Sequence, residues 1–180
     1  MIEIRIHGLG GQGVVTMTEI LALAGYRSGR EAQSFPVFGP ERTGAPVTGF
    51  IRLDDQPIRV RSQIYEPDII VVTDDKLLAK IDVAQGAKPN TRLIIASAVP
   101  CSELAQKIKL KTKHIICFNA GAIVADRRLA NSALLGFVAK TMKLASLADC
   151  RRAVKEKLKD KDAQIIKANI EAVTKGYAGK

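Results

Sequence analysis

The residues best placed to do chemistry are four glycines in the opening of the chain. "IHGLGGQGVVTMTEILALAG", Ile6 to Gly25, holds Gly8, Gly10, Gly11 and Gly13 ahead of an apolar, helix-like run. Gly8, Gly10 and Gly13 satisfy G-x-G-x-x-G, and the context is right because a strand pattern precedes them and a helical one follows. In that arrangement the first glycine permits a tight turn, the second lets backbone approach a phosphate, and the third lets helix pack on strand. Gln12 completes the turn, whose exposed amides and positive helix end favour an anion. A nicotinamide dinucleotide would also need a carboxylate about 20 residues on, at the end of the second strand, to hold the ribose hydroxyls. Glu31 has roughly that separation but begins its extended segment, and "AQSFP" after it carries no acid. No Gly-Lys-Ser/Thr follows the turn, so it is not a P-loop. A purely structural turn, a phosphate-bearing ligand and a dinucleotide all stay open, with the phosphate-bearing ligand favoured.

Other chemistry-bearing residues are sparse. Glu41 and Arg42 sit in "FGPERTGAP", Phe38 to Pro46, a loop set by Pro40 and Pro46. They form either a surface ion pair or the rim of a ligand or partner site. Thr73-Asp74-Asp75 follows an all-apolar strand, at the edge where open α/β sheets bind ligands, although helix capping by Asp74 or Asp75 is the favoured reading. Cys117 and Asn119 end another such strand. The three cysteines, Cys101, Cys117 and Cys150, show no CxxC pair, which argues against a disulfide framework and against a cluster or zinc site, so buried thiols are expected. With only His7 and His114 besides, a metal site is not expected on this chain. No Ser/His/Asp or Cys/His arrangement is visible, and no catalytic residue is assigned.

The elements that position these residues follow from periodicity. Ile2, Ile4 and Ile6 alternate with Glu3, Arg5 and His7, a strand with one buried face. Val14, Met17, Leu21 and Ala24 then mark the inward stripe of a helix, with Gly25 and Gly29 as stop signals. "EAQSFPV" (31–37) reads as extended. "VTGFIRL" and "PIRVRS" flank Asp54-Asp55-Gln56 and read as a β-hairpin. "DIIVVTDD", "RLIIASA" and "KHIICFNA" read as strands buried on both faces. Helical patterns cover roughly 76–84, 102–109, 130–142, 147–158 and 162–176, with "KEKLKDKD" (Lys155 to Asp162) breaking the last two. The expected fold is α/β, a Rossmann-like three-layer sandwich whose mostly parallel sheet carries an antiparallel β-hairpin addition. A single domain over residues 1–180 is expected.

Composition bounds the function classes. At 47% hydrophobic and 26% charged residues the chain is globular rather than disordered. No apolar run approaches the roughly 20 residues needed to span a bilayer, and no secretory signal pattern opens the chain. A cytoplasmic protein is expected. Formal net charge is +10, and residues 151–180 hold nine Lys/Arg against four Asp/Glu. A basic surface suits acidic partners, but these charges alternate with apolar positions at helical spacing and aromatics are 4%. That favours a solvated helix face or subunit contact over nucleic acid.

The combined string is more specific than its parts. "GLGGQGVVTMTEILALAG", then "AQSFPVFGPERTGAPVTGFIRL", "PIRVRS" and "PDIIVVTD", resembles the gamma subunit of the 2-oxoacid:ferredoxin oxidoreductases, the pyruvate, ketoisovalerate and oxoglutarate enzymes. "NSALLGFVAKT" and "ANIEAVTKGY" resemble that subunit's closing helices. Thr43 and Ala45 stand where the family often shows Arg and Gly, which leaves the substrate branch open. The resemblance implies a division of labour. Thiamine diphosphate lies between alpha and beta subunits, iron–sulfur clusters lie on beta or delta chains, and ferredoxin accepts the electrons. The gamma subunit serves assembly and coenzyme A access. On that implication Gly8, Gly10, Gly11, Gln12 and Gly13 form the anion-facing turn, and Glu41 and Arg42 lie near a subunit contact or the cofactor mouth. A stand-alone NAD(P)-dependent oxidoreductase and a basic nucleic-acid-binding module are the alternatives.

Overall fold

A computed structural model describes residues 1–37, 44–107 and 114–179. The chain opens with strand β1 (Ile2–Leu9), helix α1 (Val14–Arg27), β2 (Glu31–Val37), β3 (Pro46–Asp54) and β4 (Ile69–Val72). A short 3-10 turn (Asp75–Ala79), β5 (Arg92–Ala96), α2 (Cys101–Lys107) and β6 (Ile115–Phe118) follow, and α3 (Ala130–Thr141), α4 (Leu147–Lys157) and α5 (Ala163–Ala178) close it. The strands form one sheet in the order β2-β3-β1-β4-β5-β6. β1, β4, β5 and β6 are parallel neighbours, while β3 runs antiparallel to both β1 and β2. Only β3 therefore opposes the common direction, as expected of a mostly parallel sheet with an antiparallel addition.

Period-two alternation sends successive side chains to opposite faces. Ile4 and Ile6 of β1, Ile51 and Leu53 of β3 and Val71 of β4 meet the apolar stripes of α1, α3, α4 and α5 in the larger core. Ile70, Val72, Leu93 and Ile95 face the other way, against Leu77, Val83 and Leu104. β4 is buried along its whole length, which accounts for its unbroken apolar run. Among the described residues no helix is long and apolar enough to cross a membrane.

Four expectations are corrected. Residues 57–62 are not the second arm of a hairpin. Both edges of β3 are taken, by β1 (Ile2 opposite Leu53) and by β2 (Glu31 opposite Asp54). No ladder edge remains for them, and Pro57 brings no N–H. Asp54 Oδ1 instead accepts from the amides of Asp55 (2.8 Å) and Gln56 (3.3 Å), turning the chain away. The antiparallel addition is thus the β2–β3 pair. Gly25 does not end α1 but lies inside it, where a Cβ would come within 2.5 Å of Leu53, and Gly29 (φ 88°) makes the turn that follows. The helix expected over 76–84 is only the 3-10 turn, capped where the Lys80 amide donates to the Leu77 carbonyl (2.9 Å), and Asp82 Oδ1 accepts from the Ala84 amide (3.0 Å) in a separate turn beyond it. Cys101 and Cys117 are joined by a disulfide between the start of α2 and β6, leaving Cys150 as the buried free thiol. The expectation failed because the pairing is made in space, between residues 16 apart in sequence. Burial pushes the Cys150 thiol up to about 12, so it is inert.

On the face of β1 away from α1, Arg5 and His7 are both buried. Arg5 Nε donates to His7 Nε2 (3.0 Å), and its Nη2 donates to the carbonyls of Val83 and Gln85. Burial first, and the Arg5 charge second, push the His7 imidazole down to about 3. Folded His7 stays neutral, while the unfolded chain takes up a proton below its ordinary value near 6.5. Stability therefore falls as pH drops below that value, by at most about 1.4 kcal/mol per pH unit from this group. Urea unfolding at pH 7 and pH 5 should show a loss of roughly 2 kcal/mol, largely removed in His7→Gln, whose amide oxygen still accepts from Arg5. An equal loss in both proteins would show that His7 is not the source.

Candidate functional site: the glycine cleft

The β1–α1 turn is built from three kinds of constraint. Gly8 is buried at the end of β1, and a Cβ there would meet Val14 Cγ2 at 2.2 Å and Thr73 Oγ1 at 2.4 Å. Its missing side chain is what allows α1 and the end of β4 to close over β1. Gly10 is held by backbone bonds, donating to the Ala45 carbonyl (2.8 Å) and accepting from the Gly44 amide (3.1 Å). Gly11 (φ 85°) and Gly13 (φ 77°) take the left-handed backbone that side chains resist. The motif roles are therefore redistributed. The first glycine does the close packing expected of the third, and the second is tied to the turn leading into β3.

Gln12 locks this turn. Its Oε1 accepts from the Leu9 amide (3.3 Å) and its Nε2 donates to Asp74 Oδ2 (3.1 Å), while Asn131 Nδ2 of α3 donates to its carbonyl. Asp74 also caps the 3-10 turn through Oδ1 and the Lys76 amide (3.0 Å). The favoured capping role of Asp74 holds, and a link to the glycine turn is added to it.

Gly11, Gln12 and Gly13 line a cleft of about 510 Å³ with Thr73, Arg127, Arg128, Ala130 and Asn131. Gly8 and Gly10 lie behind it. Glu41 and Arg42 lie outside the described residues. Val14, Val15 and Thr16 precede the first intrahelical bond of α1, from the Met17 amide to the Gly13 carbonyl (2.9 Å), and no side chain caps the helix. Their amides are the free donors of a helix N-terminus. Thr73 Oγ1 is buried beneath them with no hydrogen-bond partner among the described residues. Arg127 and Arg128 are exposed on the opposite wall. Arg128 pairs with Asp126 (2.6 Å), whose carboxyl that hydrogen bond holds below the usual range. Arg127 makes no ion pair among the described residues. The lining side chains include two guanidinium groups and no carboxylate, so the cleft can hold an anion.

Glu31 stands at the start of β2, opposite Asp54, at the end of the sheet away from the glycine turn. It cannot play the ribose-binding part of a dinucleotide site. Among the described residues no group of three or more His, Cys, Asp or Glu is placed to hold a metal. Arg127, Arg128 and Asn131 were not singled out from the sequence, although the adjacent basic pair ahead of a helix pattern was a usable signal.

A model of the pyruvate ferredoxin/flavodoxin oxidoreductase family matches residues 3–179. The chain belongs to that family. It is 45% identical over 159 residues to the pyruvate/ketoisovalerate oxidoreductases common subunit gamma of Thermococcus kodakarensis, covering 87% of this chain and 86% of that protein. The crystal structure of pyruvate oxidoreductase subunit PORC from Thermotoga maritima superposes with a TM-score of 0.83 at 27% identity, covering 98% of this chain and 95% of that one. The same fold recurs in the 2-oxoglutarate:ferredoxin oxidoreductase from Magnetococcus marinus, solved with 2-oxoglutarate, coenzyme A and succinyl-CoA bound. There the TM-score is 0.73 at 18% identity, covering 99% of this chain and 30% of that longer one.

In this family member the two turn glycines should differ in what they tolerate. Gly8→Ala forces a methyl into Val14 and Thr73 and should cost about 2–3 kcal/mol, in the range of overpacking. Gly13→Ala meets open space and should cost only about 1–2 kcal/mol for its left-handed backbone. Chemical denaturation of both variants checks the order, and a Gly8→Ala chain as stable as wild type would refute the packing account.

Proposed function

We propose that the chain is the gamma subunit of a pyruvate-type 2-oxoacid:ferredoxin oxidoreductase, one gamma-type domain over residues 1–180 in a cytoplasmic complex with alpha-, beta- and delta-type subunits. The complex decarboxylates a 2-oxoacid oxidatively, passes the acyl group to coenzyme A and delivers the electrons to ferredoxin. Thiamine diphosphate and the iron–sulfur clusters belong to the partner chains. Family membership and the names of the relatives support this reading.

The observation that carries this chain's own contribution is a cleft lined both by Gly11, Gln12 and Gly13, which lead into the N-terminus of α1 that no side chain caps, and by Arg127, which makes no ion pair among the described residues. We assign the cleft to a phosphate of coenzyme A, whose thiol accepts the acyl group elsewhere in the assembly. The amides of Val14, Val15 and Thr16 and the guanidinium of Arg127 hold the phosphate. Gly11 and Gly13 keep backbone rather than side chains in its path. Gln12 positions the turn through Asp74, with Gly8 and Gly10 as its packed support. Glu41 and Arg42 belong to the subunit contact or the cofactor mouth. A nicotinamide dinucleotide lacks its carboxylate here, because Glu31 is at the far end of β2.

The test is the coenzyme A dependence of the assembled enzyme. Arg127→Glu and Gly11→Asp should each raise the KM for coenzyme A about tenfold or more, equivalent to about 1.4 kcal/mol per decade, with the 2-oxoacid KM unchanged. Unchanged coenzyme A dependence in both variants would remove the cleft assignment and leave the subunit reading standing.

A further inference from the structure

At the end of the sheet opposite the glycine cleft, a second cavity of about 450 Å³ gathers three cations, Arg30, Lys140 and Lys143, with the hydroxyl groups of Ser28, Ser146 and Tyr177. The separation follows from α3, whose first turn reaches Gln12 through Asn131 and whose last turn carries Lys140. Twelve residues of helix span about 18 Å. Four elements meet at this cavity: the turn after α1, the C-terminus of α3, the N-terminus of α4 and Tyr177 of α5.

None of the three cations is within ion-pair distance of a carboxylate among the described residues. Lys140 Nζ lies 5.2 Å from the Tyr177 ring centre. Arg30 Nη1 is buried without a hydrogen-bond partner among those residues. Lys143 takes a left-handed backbone (φ 54°) just after α3, the non-glycine residue to do so among the described residues. Its amide donates to the Lys140 carbonyl (3.1 Å) and the Leu144 amide donates to the Ala139 carbonyl (2.9 Å). This is a helix stop that normally takes glycine, yet here it is a lysine on the cavity wall, held in a costly backbone conformation. The one acid on the wall, Asp149, is already engaged. It accepts from the Ser146 and Ser28 hydroxyls and lies 3.8 Å from Arg152.

We propose that this cavity is a second anion site, distinct from the glycine cleft, that takes a phosphate group. Three cations without an ion pair, one of them with a buried guanidinium nitrogen lacking an acceptor among the described residues, line a concave surface, which a tetrahedral dianion fits. The α4 N-terminus beside them is already capped by Ser146. The phosphate is either free or the terminus of a larger ester.

The test is an amide NMR titration of the full chain with inorganic phosphate, and separately with AMP, against chloride at matched ionic strength. Saturating shifts at Arg30, Lys143, Leu144 and Ser146 are expected, with affinity about tenfold weaker in Lys143→Gly and in Lys140→Gln. Lys143→Gly folds readily because glycine suits that backbone. Tighter binding of AMP than of phosphate assigns the site to an ester, and binding of phosphate alone assigns it to the free ion. Shifts that fail to saturate, that are confined to residues 10–15, or that persist at full affinity in both variants overturn the proposal.

Discussion

The structure depends on how closely α1 can approach β1. Gly8 removes the one side chain that would stand between Val14, Thr73 and the strand, and from that contact the rest follows. The helix N-terminus is set close to the ends of β1 and β4 without a side-chain cap, next to the cleft lined by Gly11, Gln12 and Gly13, and Thr73 Oγ1 is buried there. Gly11 and Gly13 then supply the backbone reversal, and Gln12 pins it to Asp74. A bulkier residue at position 8 would move the helix, and with it the amides of its first turn.

Polar groups are deployed differently on the two sides of the sheet. Toward α1, α3, α4 and α5 the strands present an apolar surface, while the opposite face of β1 and β3 holds Arg5, His7 and Arg52 in buried hydrogen bonds. Arg52, 1% exposed, is compensated by Glu3 at 2.8 Å, by Gln33 and by the face of Phe35. Burying a guanidinium is costly unless it is paired and hydrogen-bonded, and this network meets that requirement. Among the cations without an ion pair to a described residue, Arg127 stands at one end of the sheet and Arg30 at the other.

Much of this was legible in the sequence because local periodicity reports burial directly. The alternation Ile2–Ile4–Ile6, the apolar run of β4 and the stripe Val14–Met17–Leu21–Ala24 each specify an element without reference to distant residues. What periodicity cannot report is which edges pair. Ile58 and Val60 alternate as a strand does, yet both edges of β3 were already occupied. The Cys101–Cys117 bridge and the approach of Arg127 and Asn131 to the glycine turn are likewise products of chain crossings. The glycine motif was readable as a turn, but the roles of its members were not. Those depend on Val14, Thr73, Gly44 and Ala45, which enter only once the sheet is assembled.

The central claim is that this chain works as one part of an oxidoreductase assembly. It is tested most directly by isolating the tagged chain from native extract without oxygen and assaying the eluate for viologen reduction. The account predicts co-elution with thiamine- and cluster-bearing chains, and reduction that requires both a 2-oxoacid and coenzyme A. A chain that elutes alone and inactive from an extract containing that activity would contradict it.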